Sequence, residues 1–131
     1  MKKLFLMLSF AGASIFAFAQ DPNAPIIDFG GVTGMAIDYG TVAKGDESNA
    51  GASFTFTNRG KSALIISSCR GSCGCVVPTC PTEPIQPGAQ GVVSVHYDIN
   101  RVGEFTKTIT VTSNDGVNPN VTLKIHGVVT N

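Results

Sequence analysis

The chain has 131 residues, with nine Lys and Arg, nine Asp and Glu, two His, four Cys and no Trp, and its formal net charge is zero. There is no run of basic residues, and the aromatic residues are not interleaved with Arg or Lys. This argues against a nucleic-acid partner, which needs a basic surface or a groove with stacking platforms. The length suits one domain with a single core.

The first 19 residues have the features of a secretory signal peptide. Lys2 and Lys3 form a positive start, residues 4–16 are apolar, and Ala17 and Ala19 place small residues at the cleavage-defining positions. The apolar stretch is shorter than the roughly 20 residues that span a bilayer, and no second one follows. We predict cleavage after Ala19 and a secreted or periplasmic mature chain with no membrane span. Its formal charge would be −2, from seven basic and nine acidic residues.

Residues 20–35 are predicted to be a lead-in to a domain that occupies residues 36–131. The Gly-rich residues 30–34 favour a flexible segment. A short repetition links the two parts, because Ile27-Asp28-Phe29-Gly30-Gly31-Val32 is echoed by Ile37-Asp38-Tyr39-Gly40-Thr41-Val42. It indicates either two first strands that compete for one sheet edge or a coincidence. The second interpretation is favoured, since a ten-residue period seen twice is too short to define a repeat fold.

Apolar and polar residues alternate along most of the remaining chain, which is typical of half-buried strands. The alternation predicts strands over residues 37–42, 52–57, 93–98, 105–112 and 121–126, and an apolar run at 64–66 adds a short one. Turn residues separate them, and no helical apolar stripe occurs after Gln20. We expect an all-β fold, an immunoglobulin-like antiparallel β-sandwich of about seven strands, with a small closed barrel as the alternative.

All four cysteines fall in residues 69–80, within the segment Cys69-Arg70-Gly71-Ser72-Cys73-Gly74-Cys75-Val76-Val77-Pro78-Thr79-Cys80. An even Cys count in one loop of an exported protein indicates disulfides, and four cysteines allow three pairings. Cys69 with Cys80 is the preferred pair. It would close a loop of about a dozen residues and contribute roughly 3 kcal/mol to stability.

Cys73 and Cys75 would lie about 6.6 Å apart in an extended strand, near the outer limit of disulfide geometry. Gly74 permits a positive φ and a tight turn between them, although the small ring would be comparatively easy to reduce. Three interpretations stay open: structural disulfides with or without buried thiols, a Cu(I) or Zn site on Cys73 and Cys75, and a redox-active dithiol. The structural one is favoured by the compartment, so no cofactor is predicted.

Five short motifs carry a resemblance to a known family. In order they are Asp38-Tyr39-Gly40-Thr41-Val42-Ala43-Lys44-Gly45, Phe54-Thr55-Phe56-Thr57-Asn58-Arg59-Gly60, Ser72-Cys73-Gly74-Cys75-Val76-Val77-Pro78, Pro84-Ile85-Gln86-Pro87-Gly88 and Thr108-Ile109-Thr110-Val111-Thr112-Ser113-Asn114. Over about residues 36–129 the chain resembles the bacterial family called domain of unknown function 1573. The resemblance implies an immunoglobulin-like sandwich of the Hydin and major-sperm-protein type in exported proteins, and no established activity. Cys73 and Cys75 match the family's Cys-Gly-Cys positions, whereas Cys69 and Cys80 depart from its pattern.

No catalytic constellation is visible in the sequence. His96 and His126 both fall on the polar faces of predicted strands, where a solvent-facing side chain is the expected role. No Gly-x-Ser-x-Gly elbow, suitably spaced carboxylate pair or phosphate-binding Gly loop occurs. We therefore predict that the protein is not an enzyme.

These patterns favour an exported, non-catalytic binding or scaffolding module. Its partner would be a protein or another envelope component. Loops at the end of a rigid sandwich are where such folds place recognition, and edge-strand addition is a further mode. The alternative is a periplasmic soft-metal or thiol-redox protein that uses Cys73 and Cys75. The candidate binding loop consists of Arg70, Ser72, Cys73, Gly74 and Cys75.

Overall fold

The computed structural model describes residues 21–131, so the predicted signal peptide of residues 1–19 lies outside the described residues. The described chain contains no α-helix, and its two 3-10 helices span Val32–Met35 and Glu47–Asn49. Within it, no helix has the length and apolar character needed to cross a bilayer. The eight strands are β1 (Ile27–Asp28), β2 (Ala36–Ala43), β3 (Gly51–Asn58), β4 (Ile66–Gly71), β5 (Val76–Thr79), β6 (Gln90–Tyr97), β7 (Gly103–Ser113) and β8 (Asn120–Thr130).

The strands form two four-stranded sheets. The first has the order β1-β3-β6-β5 and the second the order β2-β8-β7-β4. Neighbouring strands are antiparallel except for β2 and β8, which are parallel. The predicted immunoglobulin-like sandwich is therefore confirmed, with eight strands where about seven were expected.

The core lies between the two sheets and follows from the alternation of side chains along the strands. In β3, Phe54 and Phe56 are each 1% exposed, whereas Thr55 between them faces solvent. Tyr97 of the first sheet stacks on Phe105 of the second, with ring centroids 3.9 Å apart. The largest fully buried side chains are Phe54, Phe56, Leu64, Ile99, Ile109, Leu123, Ile125, Val93, Val111, Val129 and Asn58.

The strand expected at residues 64–66 is wrong in its position. Leu64 makes an isolated bridge to Ile85, and β4 begins at Ile66 and continues to Gly71. Strand β5 was not predicted at all. Neither strand shows clear alternation, because β4 reads Ile-Ser-Ser-Cys-Arg-Gly and β5 contains Pro78. Pairing with β7 and β6, rather than local propensity, determines both strands.

The segment predicted as a lead-in contains β1, which pairs with the end of β3. Ile27 and Phe29 are 9% and 7% exposed and belong to the core. The N–H of Ile27 donates to the buried carboxylate of Asp115 at 2.7 Å. Residues 27–29 are thus fixed to the sandwich, while the domain boundary at residue 36 stays a prediction.

The edges of both sheets carry features that oppose uncontrolled strand pairing. Pro78 removes one N–H from the edge strand β5. In β2, the register with β8 shifts between Asp38 and Thr41, and Gly40 at this irregularity has a φ of 64°. A bulge of this kind bends the edge strand and interrupts the row of main-chain groups that it offers to a neighbour.

Candidate functional site

Two disulfides gather the four cysteines at one corner of the sandwich. Cys69 in β4 is joined to Cys80, which directly follows β5, with their Cα atoms 6.4 Å apart. Because β4 and β5 are edge strands of different sheets, this bond ties the two sheets together. It closes a loop of twelve residues, for which the chain-entropy estimate is about 3 kcal/mol.

The second disulfide joins Cys73 and Cys75, whose Cα atoms are 5.3 Å apart. This distance lies within the normal disulfide range because the chain turns here, and the N–H of Val76 donates to the Cys73 carbonyl at 3.2 Å. Gly74 permits a positive φ but does not adopt one here, because a turn of this kind forms without left-handed backbone. The three-residue loop contributes roughly 1.6 kcal/mol by the same entropy estimate.

We call residues 72–75, which connect β4 to β5, the β4–β5 loop. Its first residue, Ser72, donates its N–H to the Thr108 carbonyl at 2.8 Å and accepts the Thr108 N–H on its hydroxyl at 3.2 Å. At the other end of the loop, the carbonyl of Cys75 accepts the N–H of Asp98 at 2.9 Å. The loop is therefore fixed to β7 and to the turn between β6 and β7.

The residues of the predicted binding loop differ in exposure. Arg70 of β4, Ser72 and Gly74 are exposed, Cys73 is half-buried, and Cys75 is 5% exposed and packs in the core. The structure thus brings all five together but turns one of them inward. Within residues 21–131, Arg70 makes no ion pair, so its guanidinium is free to meet an incoming acceptor.

Charge near the loop is concentrated in the β6–β7 turn. The backbone N–H of Asn100 donates to the Asp98 carboxylate at 3.1 Å and lowers the pKa of that carboxyl. Desolvation partly offsets this lowering, and Arg101 adds to it. Arg101 also forms an ion pair with Asp98 at 3.3 Å. Ionised Asp98 and Arg101 therefore neutralise each other beside the loop, which leaves Arg70 as its unpaired charge.

The metal interpretation requires free thiolates on Cys73 and Cys75, whereas both sulfurs are bonded to each other here. The described residues contain no group of three or more His, Cys, Asp and Glu side chains arranged to hold a metal ion. His96 and His126 lie on surface strands, paired with Glu47 at 3.0 Å and Asp38 at 3.4 Å. In the described residues neither imidazole forms a hydrogen bond with a cysteine.

A groove of about 370 Å3 lies at the opposite edge of the sandwich, where the chain passes from β1 in one sheet to β2 in the other. Its apolar lining includes Ile27, Phe29, Met35 and Val121. The prediction of a lead-in over residues 20–35 gives no indication of this groove. The alternation of Ile27, Asp28 and Phe29 was the available signal.

The groove borders an incomplete part of the second sheet. The pairing of β2 with β8 starts at Ala36 and Lys124, so residues 120–123 of β8 have a strand partner only on the β7 side. Since the Ser113 N–H donates to the Pro119 carbonyl, the alternation of the ladder directs the main-chain groups of Asn120 and Thr122 away from β7. Two ladder positions are consequently open beside the groove.

Comparison with known proteins identifies the family. A family model described as "Protein of unknown function (DUF1573)" matches residues 31–129. The chain belongs to this family. The resemblance carried by the five sequence motifs is therefore confirmed, and the DUF1573 match extends slightly further toward the N-terminus than the motifs do. A search of curated proteins found no match.

Solved structures similar to this DUF1573 chain share its sandwich. A protein of unknown function from Porphyromonas gingivalis W83 is 15% identical with a TM-score of 0.68, and the match covers 88% of this chain and 51% of that one. The PapD-like domain 7 of human CEP192 is 10% identical with a TM-score of 0.61, over 92% and 96% of the two chains.

A third similar structure is the CsuC-CsuE chaperone-tip adhesion subunit pre-assembly complex from archaic chaperone-usher Csu pili of Acinetobacter baumannii. It is 11% identical with a TM-score of 0.51, over 70% of this chain and 49% of that one. This chain spans about half the length of the bacterial chains described here. At such low identities these likenesses establish the fold alone.

Proposed function

We propose that the chain is an exported, non-catalytic module that binds a protein partner through the β4–β5 loop and the adjacent Arg70. The observation that carries the proposal is the combination of fixation and exposure in this loop. Two disulfides and main-chain bonds to β7 and to the β6–β7 turn hold it, yet Ser72 and Gly74 remain exposed. A loop that is already ordered loses little conformational entropy when it binds.

The charge of the loop suggests the chemistry of the partner surface. Arg70 is exposed and without an ion pair among the described residues. Arg is enriched among the residues that dominate interface energies, because its planar guanidinium forms two parallel hydrogen bonds to a carboxylate. We expect the partner to present a carboxylate or a cluster of carbonyl oxygens to Arg70.

The non-catalytic part of the proposal is supported by the surroundings of the two histidines. The His96 ring nitrogen contacts Glu47, and that of His126 contacts Asp38. Both pairs lie on the outer surface of the sandwich, and in the described residues neither imidazole forms a hydrogen bond with a hydroxyl or thiol. General-base catalysis requires such a contact with a nucleophile or a substrate group. Export is supported by the leader-like residues 1–19 and by the disulfides, which persist in oxidising compartments.

Site-specific photo-crosslinking tests the binding surface. A benzophenone side chain at Gly74 is suitable because nothing lies within 4 Å of the position that its Cβ would occupy. The matched control is Thr55, an exposed residue on the outer face of the first sheet. In envelope extract we expect one discrete partner to be captured at position 74 and not at position 55. Equal capture at both positions, or capture at Thr55 alone, would contradict the proposal.

A second candidate surface is the groove beside the open positions of β8. Its occupant would be an extended segment of a partner protein that adds to β8 as a short strand. The support is the outward direction of the main-chain groups of Asn120 and Thr122 over an apolar groove. The related fold in the chaperone and adhesion subunit complex is a precedent for a sandwich of this type in a protein complex.

The variant Thr122→Pro separates this mode from binding at the loop. It removes the outward N–H of residue 122 and leaves the β7 ladder bonds of residues 121 and 123 in place. If the groove is the contact surface, the unmodified protein pulls the partner down from envelope extract and the Thr122→Pro protein does not. Crosslinking at Gly74 then yields no partner. If the loop is the contact surface, capture at Gly74 persists in the Thr122→Pro protein. A thermal unfolding curve of the variant serves as the control for correct folding.

A further inference from the structure

The two disulfides of this corner differ in how much of the fold they cross-link. The Cys69–Cys80 bond joins edge strands of different sheets across eleven positions of sequence. The Cys73–Cys75 bond spans two positions, inside a turn that the hydrogen bond from Val76 already closes. Opening the inner bond therefore leaves β4, β5, the turn and the outer bond in place. Stability of the fold depends less on the inner disulfide than on the outer one, because shorter loops confer less entropic stabilisation.

The two cysteines of the inner disulfide also differ in exposure. Cys73 is half-buried and lies between the exposed Ser72 and Gly74, whereas Cys75 is 5% exposed. The space around the Gly74 Cα is open, with nothing within 4 Å of a Cβ placed there. An incoming thiolate must approach in line with the sulfur–sulfur bond, and only the Cys73 sulfur lies next to solvent-exposed chain on both sides.

We propose that the Cys73–Cys75 disulfide is a thiol–disulfide exchange site for the dithiol of another protein, and that Cys69–Cys80 is its structural support. A partner thiolate attacks Cys73 Sγ, a mixed disulfide forms, and the electron pair of the broken bond stays on Cys75 Sγ. Cys75 then takes up a proton, because its apolar surroundings disfavour the thiolate. The second partner thiol resolves the mixed disulfide, so the partner gains one disulfide while Cys73 and Cys75 become thiols. This inference does not depend on the proposed binding function.

Equilibration of the purified protein in glutathione redox buffers tests the proposal without any partner. After acid quenching and alkylation, peptide mapping gives the reduced fraction of each cysteine pair. We expect Cys73–Cys75 to be at least tenfold easier to reduce than Cys69–Cys80, equivalent to about 30 mV for a two-electron couple. Circular dichroism is expected to show an intact sandwich when only the inner pair is reduced. Reduction of both pairs together, or of the outer pair first, would overturn the proposal.

Two variants that each lack one cysteine of the inner pair test which sulfur is attacked. Cys75→Ser leaves Cys73 as a lone thiol, and Cys73→Ser leaves Cys75. With oxidised glutathione as the probe, we expect Cys73 to form the mixed disulfide at least tenfold faster than Cys75. Equal rates, or faster reaction at Cys75, would contradict the assigned direction of attack. If either variant unfolds, the redox titration of the unmodified protein still decides the main claim.

Discussion

Asn58 provides the sharpest test of how the sandwich is held at the end opposite the β4–β5 loop. This side chain is fully buried. Its Oδ1 accepts the N–H groups of Ile26 at 3.3 Å and Gly60 at 3.0 Å, and its Nδ2 donates to the carbonyls of Ser62 at 2.8 Å and Ile85 at 2.9 Å. One amide thus connects the residue before β1, the β3–β4 connection and the segment before β6.

The substitution Asn58→Ala removes four hydrogen bonds. It leaves the N–H groups of Ile26 and Gly60 and the carbonyl of Ser62 without this partner. The Ile85 carbonyl still accepts the N–H of Leu64 at 2.9 Å. A net contribution of about 1 kcal/mol for each of the four bonds gives a loss of about 4 kcal/mol. That is a large part of the 5–15 kcal/mol typical of a whole domain. The corresponding fall in Tm is on the order of 20 °C for a domain of about 100 residues.

Urea unfolding followed by circular dichroism measures this loss. The matched control is Asn49→Ala, because Asn49 is exposed and its amide contacts only Asp46 and Ser48. We expect the control to remain within about 0.5 kcal/mol of the unmodified protein. A loss of less than about 1 kcal/mol for Asn58→Ala would refute the reasoning, since it would mean that water or main-chain shifts replace the four bonds.

Two further perturbations probe the loop corner and the aromatic core. Gly71→Ala is expected to destabilise the fold by about 1–3 kcal/mol in urea unfolding, because the new Cβ would lie 2.4 Å from the Val76 carbonyl oxygen. The control Gly74→Ala is expected to be neutral or slightly stabilising. Equal losses of stability in the two variants would contradict this packing. Burial raises the pKa of Tyr39 to about 12. The native state then holds this proton more tightly than the unfolded state, so the associated stability is complete below pH 10 and is lost between pH 10 and 12. Absorbance at 295 nm, with Tyr39→Phe leaving Tyr97 as the only tyrosine, checks this assignment, and titration of Tyr39 near pH 10 would refute it.

The strands with clear alternation could be predicted from the sequence because one face of each is buried and the other is solvated. Strands β3, β6, β7 and β8 follow this rule along their length. Strands β4 and β5 do not, because they lie at sheet edges where long-range pairing and the Cys69–Cys80 bond determine the conformation. Local pattern carries no information about such pairing.

The repetition of residues 27–32 in residues 37–42 corresponds to two edge strands of the sandwich and is not the coincidence that its short period favours. Both copies contribute an edge strand, but to different sheets, with β1 paired to β3 and β2 paired to β8. They therefore do not compete for one edge. The passage between the two copies creates the groove, and the periodicity of either copy alone gives no indication of which sheet it joins.

Part of the candidate site could be predicted from the sequence. The preferred pairing of Cys69 with Cys80 is the one present in the structure, and loop length was the reason for preferring it. The inward orientation of Cys75 could not be read, because it depends on how the turn at Gly74 meets the core. The same applies to the main-chain bonds that connect Ser72 and Cys75 to distant strands.

The central claim is that the fixed and exposed corner formed by Arg70 and the β4–β5 loop contacts a protein partner. The most direct test is to purify the partner identified by crosslinking and to measure the dissociation constant of its complex with the Arg70→Glu variant and with the control variant Lys61→Glu. Lys61 is exposed in the β3–β4 connection, at the opposite end of the sandwich, and undergoes the same change of charge. We predict that the dissociation constant of Arg70→Glu is at least tenfold higher than that of the unmodified protein and that the constant of Lys61→Glu is unchanged. Unchanged affinity of Arg70→Glu, or equal weakening by both variants, would contradict the account.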